Sequence, residues 1–269
     1  MRRIMMAATF TLALGACGVS QQQEVELGTN YAAQVEQQLP IVNDPEVNRY
    51  INVLGDSLAR LADARDLDWR FRVVDSKEVN AFAIPGGFIY INRGLIERTQ
   101  NMSQVAGVLG HEIAHVTERH SVQQMQKAQG ANLGVTLACV LTRVCDGQLA
   151  STAINVAGGA LFAKFSRGDE AEADQEGVRN VVRAGIHPDG IPEMFEILLA
   201  ERQRNPGGLE AWFSTHPGEE DRIKATRAQI AGIDPAILRQ LRRDSPNFQS
   251  FKRRLQSLPP SPEPKTSGQ

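Results

Sequence analysis

The segment VLGHEIAHVTERH, residues 108–120, holds the pattern His-Glu-x-x-His and constrains the chain more than any other stretch. An α-helix turns about 100° per residue, so His111 and His115 lie one turn apart and roughly 40° from each other around the axis. Two imidazoles on one face can bind one metal ion, and Glu112 beside them can act as the base for a metal-bound water. The pattern predicts a helix over 104–120 with a candidate zinc site on it.

The motif alone does not separate a metal site from a helix that carries two histidines by chance. A catalytic zinc ion takes three protein ligands and keeps one open position, so a further ligand has to come from elsewhere in the chain. The metzincin pattern is excluded, because Glu118 and Ser121 stand where it requires Gly and His. A di-iron carboxylate bundle needs two Glu-x-x-His motifs, and Glu112 to His115 is the one such motif in the sequence.

A second helix is predicted after residue 166, and it carries the candidate third ligand. Ser166 and Asp169 form the Ser-x-x-acid pattern that opens helices. Glu170 and Asp174 lie on one face, whereas Glu172 lies about 160° from either around the helix. Such a pair suits one metal ligand and one carboxylate that orients a ligating histidine. An acidic, solvated face near a helix N-terminus remains the alternative on these residues alone.

The other histidines receive weaker predictions. His120 lies about 140° from His115 on a continuous helix, so we expect it to cap the helix C-terminus and not to share the metal. His187 is predicted to be a loop residue. His216 lies in a turn before a helix that carries Arg222, and spacing alone assigns it no role.

The N-terminus, MRRIMMAATFTLALGACG, has the layout of a secretory signal, with two arginines, an apolar run too short to span a bilayer, and small residues before Cys17. Residues 14–17 resemble the lipobox of bacterial lipoproteins. We therefore predict a signal peptide over 1–16 and a mature chain that begins at a lipidated Cys17 and is tethered to a membrane. Gly18 is compatible, by the same resemblance, with export to the outer membrane.

The two remaining cysteines, Cys139 and Cys145, are close in the sequence. In an exported protein such a pair is most simply a local disulfide. Their spacing matches no usual zinc-finger pattern, and free or intermolecular thiols stay open as the alternative.

The rest of the chain indicates a single sizeable domain over 17–258. Lys and Arg total 29 against 31 Asp and Glu, so the sequence has no electrostatic footprint for nucleic acid, and none is expected as a partner. Two early segments carry apolar residues at helical spacing, LDWRFRVVD alternates as a half-buried strand does, and Pro-Gly-Gly at 85–87 favours a hairpin. The Pro-rich stretch 259–269 is expected to be disordered.

Four motifs in order, NAFAxPGG, HExxH, SRxxExEAD and THPxxxxR, resemble the HtpX-like and CAAX-prenyl-protease-type zinc metallopeptidases. The likeness runs from about residue 24 to residue 231 and is closest to their soluble periplasmic lipoprotein branch, the LoiP-like proteins. It implies an α+β, gluzincin-type fold that is mostly helical, with a small sheet whose edge strand lies beside the active-site helix.

The resemblance also implies roles for particular residues. One zinc ion would be held by His111, His115 and Glu170, with Asp174 as the orienting carboxylate and Glu112 as the base. His216 and Arg222 would stabilise the oxyanion of a tetrahedral intermediate. The strand formed by Asn80, Ala81, Phe82 and Ala83 would take an extended peptide substrate by β-addition.

These expectations combine into a zinc endopeptidase, lipid-anchored in the periplasm at a membrane, by preference the outer one, that cleaves unfolded or misassembled envelope proteins. Two alternatives stay open. The chain is an assembly or quality-control binding factor that keeps the fold with little proteolysis, or His216 fills the open zinc position at rest and restrains the protease.

Overall fold

The computed structural model describes residues 19–129, 164–204 and 209–262. The elements, in chain order, are the helices α1 (Gln21–Gln38) and α2 (Pro45–Ala62), the strands β1 (Arg70–Val74), β2 (Ala81–Ile84) and β3 (Phe88–Asn92), and the helices α3 (Arg93–Arg98), α4 (Met102–Thr117), α5 (His120–Gln129), α6 (Arg167–Arg183), α7 (Gly190–Arg204), α8 (Glu210–Thr215), α9 (Glu219–Ala231), α10 (Pro235–Leu238) and α11 (Pro246–Ser257). The predicted class, mostly helical with a small sheet, is confirmed.

The sheet has the strand order β1-β3-β2, with β1 parallel and β2 antiparallel to β3. The predicted hairpin joins β2 to β3, and it turns at Gly86 and Gly87, whose φ angles of 86° and 100° lie in the region that glycine adopts without strain. This order leaves β2 at one edge of the sheet, next to α4.

Helix α4 lies in the middle of the domain, between α2, α6, α7 and the sheet. Every residue from Met102 to Val116 is buried. Helix α6 can approach it closely because glycines meet at the contact: a Cβ added at Gly177 would lie 3.3 Å from the backbone nitrogen of His111. This close packing brings the carboxylates of α6 to the histidine face of α4.

Helix α4 ends three residues earlier than predicted. It stops at Thr117, and Arg119 adopts a left-handed conformation with φ of 60° before α5 begins at His120. The buried carboxylate of Glu24 accepts hydrogen bonds from Arg65 and Arg119 and holds this turn in place. The guanidinium of Arg65 also donates to the carbonyl of Val116, one of the last in α4, at 2.8 Å.

At the C-terminus, packing continues past the predicted boundary at residue 258. The Arg93 guanidinium donates to the carbonyl of Pro259 at 2.7 Å, and the hydroxyl of Ser261 lies 2.6 Å from Asp75 Oδ1. Residues 263–269 of the predicted tail lie outside the described ranges. Within those ranges, no helix combines the length and the apolar character needed to cross a bilayer.

Candidate metal centre

Four buried side chains meet at the contact between α4 and α6: His111, His115, Glu170 and His216, which follows α8. One donor atom from each lies within 4.8 Å of all the others. His115 Nε2 is 3.0 Å from His111 Nε2 and 3.4 Å from Glu170 Oε1. His216 Nδ1 is 3.0 Å from the same Glu170 oxygen and 3.5 Å from His111 Nε2.

These distances fit a zinc ion. Zn–N bonds are about 2.0–2.1 Å, so the ligand atoms of a tetrahedral site lie roughly 3.3–3.4 Å from one another. Four of the separations, at 3.0–3.5 Å, scatter around that value, and all the donor atoms lie within 4.8 Å of one another. Burial also holds the pKa of His115 well below its ordinary value, and the neutral imidazole that results is the form that binds metal. His216, for which spacing alone assigned no role, is thus part of the cluster.

Asp174 and Arg222 support the cluster from behind. Asp174 Oδ1 lies 2.9 Å from His111 Nδ1, so the other nitrogen of that ring faces the cluster. Arg222 binds Asp174 through Nε and Nη2, each at 2.7 Å, and its Nη1 contacts Glu170 Oε2. Burial acts to raise the pKa of Asp174, but the charge and hydrogen bonds of Arg222 outweigh it and hold that pKa below its ordinary value. Both carboxylates therefore stay ionised at neutral pH.

Glu112 is buried beside the cluster without a hydrogen bond. Neither of its carboxylate oxygens has a hydrogen-bond partner among the described residues, and Oε1 lies 3.6 Å from His216 Nε2. Burial raises the pKa of Glu112 above its ordinary value, against the charges of His216 and His111, which lower it. A buried carboxylate without a hydrogen bond is costly, and one next to a metal-ligand cluster has the position and the proton affinity of a general base.

Comparison with known proteins agrees with this geometry. Residues 45–230 match the model of peptidase family M48. The chain belongs to peptidase family M48. The predicted resemblance and the predicted class, a metallopeptidase, are thereby confirmed.

Three similar proteins with assigned names differ in how much of their length this chain matches. The chain is 30% identical over 224 residues to the beta-barrel assembly-enhancing protease of Escherichia coli, which covers 80% of this chain and 45% of that protein. It is 31% identical over 183 residues to metalloprotease YcaL of Escherichia coli, covering 66% and 70%. Mitochondrial metalloendopeptidase OMA1 of Schizosaccharomyces pombe is 30% identical over 176 residues, covering 65% and 50%. The chain spans less than half the length of the assembly-enhancing proteases that it matches.

The position of His120 in this M48 domain differs from the one predicted from the sequence. The residue is buried, with 1% of its surface exposed, and its Nδ1 lies 2.8 Å from His115 Nδ1. Its Nε2 lies 3.2 Å from Glu172 Oε2. The prediction of a C-terminal cap is wrong because the left-handed turn at Arg119 folds His120 back towards His115. The sequence gives no signal of that turn, because a left-handed conformation is uncommon for arginine.

The predicted substrate strand of the M48 domain lies at the edge of the sheet. Asn92 N donates to the carbonyl of Asn80 at 2.9 Å, and alternation along an antiparallel pair then turns the main-chain groups of Phe82 towards β3 as well. The N–H and C=O groups of Ala81 and Ala83 face the opposite edge, with which no other described strand pairs. The ring of Phe82 stacks on Tyr90, with the centroids 4.9 Å apart.

Several predicted positions cannot be placed. Cys17, the signal peptide 1–16, Cys139 and Cys145 lie outside the described residues, so lipidation and the disulfide stay predictions. His187 lies between α6 and α7, half-buried, and its Nδ1 accepts a hydrogen bond from the backbone of Asp189 at 3.3 Å. It belongs to a loop, as expected, away from the metal centre.

Proposed function

We propose that this chain is a zinc-dependent endopeptidase whose metal centre is formed by His111, His115 and Glu170, with Glu112 as its general base. The observation that carries the proposal is the meeting of the ligand atoms of these residues at zinc-compatible distances beside the Glu112 carboxylate, which accepts no hydrogen bond among the described residues. Membership of a metallopeptidase family supports it.

When bound, zinc supplies a Lewis acid for the scissile carbonyl and lowers the pKa of water to about 7. The protein supplies the proton transfers. Glu112 takes a proton from the attacking water and returns it to the leaving amine, so its carboxyl has to exchange protons near neutral pH. Its raised pKa suits this task, because a base with an ordinary glutamate pKa holds a proton poorly at pH 7.

His216 and Arg222 have the predicted oxyanion roles in this proposal, and their contacts differ. His216 lies between Glu170 and Glu112, where an imidazolium can donate to a developing negative charge. Burial lowers the pKa of His216, but the negative charge of Glu170 and a hydrogen bond to it raise that pKa above its ordinary value. Arg222 is engaged by Asp174 and Glu170, so contact with an oxyanion requires it to release one of them.

The outer edge of β2 is the proposed site for substrate. An extended peptide can pair with the N–H and C=O groups of Ala81 and Ala83, and its backbone would then lie near α4, which β2 contacts. Main-chain pairing is insensitive to side chains, so this mode suits unfolded polypeptides. The name of the Escherichia coli relative, a beta-barrel assembly-enhancing protease, supports unfolded or misassembled envelope proteins as the substrate class. A periplasmic, lipid-anchored location, at the outer membrane, rests on the pattern around Cys17.

A restrained form of the enzyme is the second candidate. His216 Nδ1 lies 3.0 Å from Glu170 Oε1 and 3.5 Å from His111 Nε2, so it can occupy a fourth zinc position and leave none for water. In that state the chain would bind its polypeptide substrates but cleave few of them. An assembly factor is expected to behave in the same way.

The test compares wild type with Glu112→Gln for zinc content and for cleavage of an unfolded outer-membrane protein. We expect the variant to keep its zinc and to lose cleavage by about 100- to 10,000-fold, the contribution that a positioned general base typically makes. Glu176→Gln, at a half-buried position of α6 where the carboxylate pairs with Arg179, is the matched control and should behave as wild type. Cleavage by Glu112→Gln at the wild-type rate would refute the mechanism.

The restrained form is tested with His216→Ala. If His216 blocks the fourth position, the variant keeps zinc and the zinc coordination spectrum gains an oxygen ligand in place of a nitrogen. If His216 serves only the oxyanion, the spectrum stays the same and the cleavage rate falls.

A further inference from the structure

His115 has a partner on the side away from the cluster. Its Nδ1 lies 2.8 Å from His120 Nδ1, and His120 Nε2 lies 3.2 Å from Glu172 Oε2. His120 is buried, whereas the Glu172 side chain is 54% exposed. The three groups form a line that leads from the cluster to the surface of α6.

If His115 binds a metal through Nε2, the positions of the ring protons of His115 and His120 are determined. His115 Nε2 faces His111 and Glu170 at ligand distances and needs its lone pair to bind a metal, so the ring proton is on Nδ1. That N–H donates to His120 Nδ1, which accepts. The proton of a neutral His120 is then on Nε2 and donates to the Glu172 carboxylate.

From this arrangement we propose that His120 and Glu172 are positioning residues that fix the metal-binding tautomer and the in-plane orientation of His115. The inference rests on the proposed zinc site. The two motif histidines are then oriented by different means: His111 directly by the Asp174 carboxylate, and His115 through an intervening imidazole.

Stacking does not supply the same restraint. Phe165 covers one face of His115, with ring centroids 3.9 Å apart and planes inclined by 19°. A stacked ring fixes the plane of the imidazole but leaves it free to turn within that plane. The hydrogen bond to His120 lies in the plane and sets which nitrogen points at the cluster.

The exposure of Glu172 sets the expected sizes of the effects. Loss of the group that orients a ligand histidine typically lowers metal affinity about 10–100-fold. The buried His120 makes this contact with His115 directly. Glu172 acts one group further away and is half solvated, so water can replace part of its effect, and its removal should cost a few-fold.

The experiment measures the zinc dissociation constant by competition with a chelator, together with thermal unfolding of the metal-free protein. His120→Leu removes the acceptor and should weaken zinc binding about 10–100-fold. His120→Asn places an oxygen near the position of Nδ1 and should recover most of that affinity. Glu172→Ala should lose a few-fold, and Glu176→Gln, on the same helix, should match wild type.

Three results would overturn the inference: wild-type zinc affinity in both His120→Leu and Glu172→Ala, equal losses in His120→Leu and His120→Asn, or a loss that follows the melting temperature of the metal-free protein. If His120→Leu does not fold, the surface change Glu172→Ala decides alone. Absence of zinc binding by wild type would overturn this inference together with the proposed function. Normal zinc affinity in the variants of a proteolytically active chain would overturn this inference alone.

Discussion

The metal face between α4 and α6 and the outer edge of β2 both border α4 but are built in different ways. The metal face is made of buried charged and polar side chains, and Glu170, Asp174 and Arg222 restrain one another through several contacts. The outer edge of β2 consists of the main-chain groups of Ala81 and Ala83. We infer that side chains of the metal face hold the zinc ion and that main-chain groups of β2 bind the substrate. Substitutions in the metal face should therefore change zinc binding, whereas those in β2 should change cleavage without changing zinc binding.

The largest effect on stability should come from Asp174→Asn. It removes one partner of a buried ion pair and leaves the guanidinium of Arg222 partly uncompensated, which typically costs about 3–5 kcal/mol of stability. It also removes the carboxylate that orients His111, and such a loss lowers zinc affinity about 10–100-fold. Denaturant unfolding of the metal-free protein and chelator competition measure the two effects. Wild-type values for both would show that the metal face does not depend on this carboxylate.

The pH dependence of the free energy of unfolding provides a second test with the same variant. The pKa of Asp174 is depressed in the folded protein, so its stabilising contribution is complete above the unfolded pKa of about 3.9 and is lost as pH falls through the lower folded pKa. We expect the free energy of unfolding of wild type to fall more steeply below about pH 4 than that of Asp174→Asn. Parallel acid limbs would contradict the assignment.

A smaller effect, confined to substrate, should come from Ala83→Pro. Proline removes the N–H that faces the outer edge, and edge strands tolerate proline when the lost donor is not used within the sheet. One hydrogen bond of about 1 kcal/mol corresponds to roughly a fivefold loss in kcat/KM. Zinc content and melting temperature should stay the same. Undiminished cleavage by this variant would show that substrate does not pair with β2.

The smallest effect is a gain in stability from Glu112→Gln. The ionised carboxylate of Glu112 is buried without a hydrogen bond, and its raised pKa means that folding opposes its charge as pH rises above the unfolded pKa of about 4.3. At pH 7 the metal-free variant should be more stable than wild type by about 1 kcal/mol, as when other catalytic groups held at a cost are replaced. A less stable variant would indicate that the nearby His216 stabilises this charge by more than burial costs.

The sequence predicted the parts of this domain that depend on periodicity and left out those that depend on single backbone angles. Helical spacing placed His111 with His115, and Glu170 with Asp174, on shared faces, and the structure brings both pairs together. The position of His120 depends on the left-handed conformation of Arg119, which a continuous helix cannot anticipate. The clamping of Arg222 by two carboxylates joins elements about 50 residues apart, and no local pattern predicts such a contact.

The most direct test of the metal centre is the zinc content of the purified chain, measured for wild type and for Glu170→Ala after dialysis against a chelator of moderate affinity. We predict one zinc ion per wild-type chain and little in Glu170→Ala, because the variant loses the anionic ligand and leaves a buried ion among imidazoles without a compensating charge. Full retention of zinc by Glu170→Ala, or a wild-type chain that binds none, would contradict the proposed centre.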